Sequence, residues 1–119
     1  LRLAIAILND WQDNNCVGQY LKEIEKRKMP ISEDSWFFDI KPKDARNKRH
    51  FSSHYGGQFY FDYAGMNGRN IIGMDGKGGQ SVLIDLDNGR IVVINAVNDN
   101  YDWYELAYKA IKTGKLRDK

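Results

Sequence analysis

The sequence predicts an α+β fold, and three observations carry the prediction. Apolar residues recur with a helical period over the first thirty or so positions, the period falls to two from Gln58 onward, and an amphipathic helical stretch closes the chain. The expected order is two N-terminal helices, a loop, an antiparallel β meander of about four strands, and a C-terminal helix packed on the sheet.

Leu1 to Trp11 is apolar nearly all round, the pattern of a helix enclosed by other protein, and nothing before Leu1 caps it. The chain therefore reads as cut, with packing partners elsewhere. A second helix is expected from Val17 to Lys28, with Val17, Tyr20, Leu21 and Ile24 on one face opposite Lys22, Glu23 and Lys26. Met29-Pro30 ends it, because a residue before proline is pushed out of the helical region. Positions 31 to 54 show little periodicity and read as a long loop.

From Gln58, Phe59, Phe61 and Tyr63 alternate with Gln58, Tyr60 and Asp62, as a half-buried strand requires. Gly65, Asn67 and Gly68 form the following turn. Asn70 to Met74 is a second strand running into Gly76-Lys77-Gly78-Gly79. Ser81 to Leu86 is a third, with Val82, Ile84 and Leu86 on one face, and Arg90 to Val97 a fourth. Asp87-Asn88-Gly89 between the last two signals a hairpin, since Asn and Gly accept the positive φ of tight turns. The closing helix, 101 to 114, places Trp103, Leu106, Ala107, Ala110 and Ile111 on its core face, with Gly114 as its stop. The whole of 1 to 119 reads as a single partial domain: helical segment 1 to 30, loop 31 to 54, sheet 55 to 97, and the last helix.

The net charge of +2 implies neither a nucleic-acid nor a membrane partner, and no apolar run is long enough to span a bilayer. A lone Cys16 excludes an internal disulfide. The basic run Lys41, Lys43, Arg46, Lys48 and Arg49 reads as a solvated loop ahead of a nucleic-acid contact, because Asp44 interrupts it. His50 and His54 lack the accompanying Glu or Cys set of a metal site, so no metal is expected. Gly76 to Gly79 lacks the Lys-Ser/Thr and the following helix of a phosphate loop. Of Tyr55, Phe59, Tyr60, Phe61 and Tyr63, half are expected in the core on period alone, and the rest are candidates for a pocket wall.

Four stretches taken in order resemble the end of the β-lactamase and penicillin-binding-protein superfamily of serine hydrolases, which includes esterases and amidases. They are Tyr55-Gly56-Gly57-Gln58-Phe59, Gly73-Met74-Asp75-Gly76-Lys77-Gly78-Gly79-Gln80, Val82-Leu83-Ile84-Asp85 and Ile91-Val92-Val93-Ile94. In that family a tyrosine-glycine strand precedes the strand bearing the third active-site motif, a glycine-glycine-glutamine turn follows, and a hairpin and a terminal helix complete the sheet. The opening helices resemble the family's preceding segment.

The resemblance implies an acyl-enzyme mechanism whose nucleophilic serine is activated by a lysine one helical turn later. None of Ser32, Ser35, Ser52, Ser53 and Ser81 is followed three positions on by lysine, and the Tyr-x-Asn or Ser-x-Asn motif is absent. The nucleophile is thus expected on a missing N-terminal segment or a complementary chain of the same hydrolase.

By position, Met74-Asp75-Gly76 replaces the family's Lys-Thr-Gly, with the Lys77 backbone N–H on the oxyanion side and Met74, Asp75, Gly76, Gly78 and Gly79 against substrate. Met74 in place of a cationic or imidazole residue favours an ester or amide substrate over a β-lactam. No cofactor is implied, and a periplasmic or exported location follows from the resemblance alone. Lys112-Thr113-Gly114 copies the motif literally, but it ends a helix and is read as a helix terminus. The competing expectation is a non-catalytic domain that docks a partner through its sheet or first helix.

Overall fold

The computed structural model describes residues 1–31, 52–63, 65–66, 68–76, 80–95 and 103–113, leaving aside the side chains of 76 and 103–105. It is an α+β arrangement: α1 (Arg2–Gln12), α2 (Cys16–Arg27), β1 (Met29–Pro30), β2 (Ser52–Gly56), β3 (Phe59–Tyr63), β4 (Ile71–Gly76), β5 (Gln80–Asp85), β6 (Arg90–Ile94) and α3 (Trp103–Lys112). Among the described residues the strands form one antiparallel sheet of six in the order β1 to β6.

The sheet has six strands where four are expected, because β1 and β2 fall on segments that carry no alternation. Ser52 to His54 is strand and not loop, held by pairing with β3 through Ser52↔Tyr63 and His54↔Phe61. Gln58 is not strand. With Gly57 it forms a two-residue turn, both at positive φ (52° and 70°), between the paired Gly56 and Phe59. A Cβ at Gly57 would run into the Ile24 side chain, so the glycine also lets this hairpin lie against α2.

Helices cover both faces of the sheet, which is why a half-buried alternation underestimates its core. On one face Ala4, Ile7 and Leu8 of α1 and Leu21 and Ile24 of α2 pack with Phe61, Ile72, Ile84 and Leu86. On the other, Ala107 and Ile111 of α3 pack with Tyr60, Tyr63, Met66, Ile71 and Leu83. Strict alternation would put Phe61 and Tyr63 on the same side. Asp62 lies between them at φ 57° and breaks the alternation, so Tyr63 joins Tyr60 on the α3 face.

Both helical faces are narrower than their periodicity suggests. Leu1, just before α1, and Leu3 and Ile5 on it are exposed, so among the described residues the helix is buried on one side and not all round. On α2 the buried set is Gly18, Leu21 and Ile24, while Val17 and Tyr20 are exposed (37% and 55%). Gly18 is the cause: it meets the α1 backbone at Asp10 and Trp11 with no room for a Cβ, which turns Val17 and Tyr20 outward. On α3, Leu106 is exposed and the partly buried Tyr108 takes the core contact instead.

Candidate functional site

The β4–β5 ladder positions the residues that the sequence singles out. Its register runs from Ile71↔Asp85 through Met74↔Val82 and Asp75↔Ser81 to Gly76↔Gln80. Met74 packs against the α1/α2 cluster, whereas Asp75, one residue on, projects from the opposite face. Lys77, Gly78 and Gly79 lie outside the described residues, as do Asn67, His50, the run from Lys41 to Arg49, Val97 and Gly114.

Asp75 stands in a group of hydroxyl-bearing side chains. Ser81 Oγ donates to its Oδ1 at 2.9 Å. The buried Tyr60 holds its phenolic proton well above the ordinary tyrosine range, first through burial, then through the neighbouring Asp75 charge and Tyr55. Tyr55 and Tyr60 are paired across β2 and β3, their ring centroids 4.9 Å apart. Gly73 makes the crowding possible: it pairs with Tyr60, and a Cβ there would collide with the Tyr63 hydroxyl and press on Leu83. Tyr60 and Ser81 are not legible as site residues in sequence, since their nearness to Asp75 comes from register alone.

The far end of the same ladder holds a second polar group. Arg69 Nε donates to Asp85 Oδ2 at 2.8 Å, with the Arg69 side chain nearly buried and that of Asp85 fully so. Asn88 donates to the Asp85 carboxylate from its backbone N–H (3.2 Å) and from Nδ2 (3.0 Å to each oxygen). The Asp87-Asn88-Gly89 hairpin signal is therefore realised in an unforeseen way. Gly89 takes the positive φ of 71°, while Asn88 anchors the turn to Asp85. Arg69 also donates to the Ile111 and Lys112 carbonyls (2.7 and 3.4 Å), and Arg90 to that of Ala110 (3.2 Å). Two guanidinium groups thus satisfy the last turn of α3, where unpaired carbonyls and the helix dipole favour cations. Lys112 and Thr113 lie at that terminus, where Thr113 N–H donates to the Lys109 carbonyl, so they belong to the end of a helix and not to a strand.

A third group, on β2 and β3 beside the end of α2, joins Ser53, His54, Asp62 and Lys28. Asp62 Oδ2 lies 2.6 Å from Lys28 Nζ and 2.9 Å from His54 Nδ1, and Ser53 Oγ lies 2.9 Å from that same nitrogen. A nucleophile–base–acid relay needs the serine on one ring nitrogen and the carboxylate on the other. Here both meet Nδ1, so the trio is a surface anchor that ties the end of α2 to the sheet. Among the described residues, no set of three or more His, Cys, Asp or Glu could hold a metal. Nor, among the described residues, is any helix long and apolar enough to cross a membrane.

Fold and site together define a three-layer α+β domain whose antiparallel sheet presents a carboxylate and hydroxyl cluster at the end of β4. Comparison of the chain with protein-family models, with curated proteins and with solved structures gives no match.

Proposed function

We propose that this chain is the C-terminal part of a serine hydrolase of the β-lactamase-like kind, cleaving an ester or amide through an acyl-enzyme whose Ser-x-x-Lys lies outside it. The supporting observation is the β4–β5 hairpin. Met74-Asp75-Gly76 ends a strand, and Gly76 pairs with Gln80, so only Lys77, Gly78 and Gly79 separate the paired positions. This is the order of motif strand, glycine turn and return strand that the resemblance describes. A strand ending in Tyr55-Gly56 precedes it, and the β5–β6 hairpin and α3 follow.

In this reading the Lys77 N–H donates to the oxyanion that forms when the serine attacks. Gly76, Gly78 and Gly79 keep the backbone accessible to substrate, and Met74 supplies an apolar wall. Asp75 contributes through its backbone, since its carboxylate is engaged by Ser81 on the sheet's other face.

The experiment is labelling with a fluorophosphonate probe of the intact natural particle that contains this chain, followed by its mass and composition. The expected result is a labelled serine three residues before a lysine on a connected segment or co-purifying chain. An intact, monomeric and unlabelled product of the present sequence overturns the proposal. In the labelled particle, Lys77→Pro, which deletes the N–H, is expected to slow acylation about 10²- to 10³-fold, and Lys77→Ala, which keeps it, to have little effect. A second reading, a non-catalytic docking domain, draws on the exposed Leu3 and Ile5 of α1 and Leu1 just before it. It predicts a stable complex and no labelled serine.

A further inference from the structure

The chain contains two Asn-Gly dipeptides, Asn67-Gly68 and Asn88-Gly89. Such a pair is the most reactive setting for asparagine, because a glycine nitrogen has no Cβ beside it to hinder attack on the asparagine side-chain amide. Asn67 lies outside the described residues, and Asn88 lies within them. Asn88 is buried, 8% exposed, and Asp85 holds both of its nitrogens. Nδ2 donates to each carboxylate oxygen at 3.0 Å, and the backbone N–H donates to Oδ1 at 3.2 Å. The attacking group is held as well, since the Gly89 N–H donates to the Asp85 carbonyl at 2.9 Å. All of these partners are described residues of one turn, so the restraint stands whatever other polypeptide lies beside the sheet.

We propose that Asn88-Gly89 is a modification site that the fold keeps closed: Asn88 loses its side-chain amide when the β5–β6 turn opens, and the product bars the turn from closing again. In the first step the Gly89 nitrogen bonds to Asn88 Cγ and the Cγ–Nδ2 bond breaks. Nδ2 leaves as ammonia, carrying the proton given up by the Gly89 amide. Water then opens the cyclic imide at one of its two carbonyls and leaves aspartate or isoaspartate at position 88. In the closed turn both reacting groups are engaged by Asp85, and each must give up a hydrogen bond before they can meet. The product does not fit that turn. A carboxylate oxygen in place of Nδ2 stands 3.0 Å from the Asp85 oxygens, where two carboxylates cannot both stay ionised, and the Arg69 Nε is already committed to Asp85. Isoaspartate adds a methylene to the backbone of a turn whose ends are fixed by the Asp85↔Arg90 pairing. Because Arg69 runs on from Asp85 to the Ile111 carbonyl, the loss reaches the end of α3. This inference stands independently of the hydrolase reading.

Peptide mapping by mass spectrometry tests the closed state, on the intact molecule that contains this chain, incubated at mildly alkaline pH with and without guanidinium chloride. Conversion at Asn88 is expected to be about 10²-fold slower in the folded molecule than in denaturant, as for a reaction that waits on local opening. An Asn88 that converts as fast folded as unfolded overturns the proposal. Two variants of the same molecule test the barrier to reclosing. Asn88→Asp is expected to lower the thermal midpoint by several degrees and to speed amide exchange in β5, β6 and the last turn of α3. Asn88→Ser, which keeps a short hydroxyl donor for Asp85 and adds no charge, should lose less. Parental stability in Asn88→Asp, or an equal loss in the two variants, overturns the claim that the new carboxylate holds the turn open.

Discussion

At one end of the β4–β5 ladder Asp85 is enclosed between Arg69 and Asn88, and at the other Asp75 accepts from Ser81 beside the phenols of Tyr60 and Tyr55. Both carboxylates project from the α3 face of the same hairpin, ten residues apart. The Asp85 end fastens structure: its arginine goes on to cap α3, so one ion pair joins the β5–β6 turn, the 66–69 turn and the last helix. The Asp75 end leads toward Lys77, Gly78 and Gly79, on which the proposed hydrolase reading draws. The same residue type on one face of the ladder thus meets different partners, a guanidinium at Asp85 and a group of hydroxyls at Asp75.

That contrast can be broken at its structural end most forcefully. Arg69→Met leaves Asp85 buried without its cation and leaves α3 carbonyls unsatisfied, and is expected to cost about 3–5 kcal/mol by urea denaturation. Pairing it with Asp85→Leu should recover a large share, because removing both charges is far less costly than stranding one.

The middle of the ladder gives a smaller effect. Gly73→Ala drives a methyl into the Tyr63 hydroxyl and Leu83, at about 1–3 kcal/mol, and Tyr63→Phe in the same chain should restore part of the loss in thermal unfolding.

The Asp75 end sharpens the comparison by titration. Tyr60 should resist ionisation in an ultraviolet titration, and Asp75→Asn should lower its pKa only in part, since burial is the larger cause. The sign for stability follows from the raised value. Below a pH of about 10 the phenol is protonated in folded and unfolded chains alike. Above it the unfolded chain releases the proton first, so the contribution to stability falls as pH rises. Denaturation midpoints that fell less steeply above this pH in Tyr60→Phe than in the parent would bear this out, and equal slopes would refute it.

Much of the architecture was legible in local pattern. The helices, the turn at Asp87-Asn88-Gly89 and the strands after Phe59 all announce themselves by period or by turn chemistry. Met74 could be placed at the end of a strand because the glycines that follow mark a break, but β4 runs on through Asp75 to Gly76. What the pattern could not give was the partner of each residue. Ser52 to His54 carry no alternation and become strand only because β3 is there to bond them. Tyr63 changes face because of one positive φ at Asp62, a choice stabilised by contacts with Lys28 and His54 that lie far apart in sequence.

The sequence by itself determined the α+β class, the order of helices and most strands, and the break after β4, because these depend on hydrophobic period and on what glycine, asparagine and proline allow the backbone. Only the tertiary structure decided that both sheet faces are covered, that Gly18 rather than Val17 or Tyr20 meets α1, and that Ser81 and Tyr60 gather around Asp75 while Arg69 seals Asp85. Those are matters of strand register and helix approach, set by contacts between distant residues, and no local window of the chain contains them.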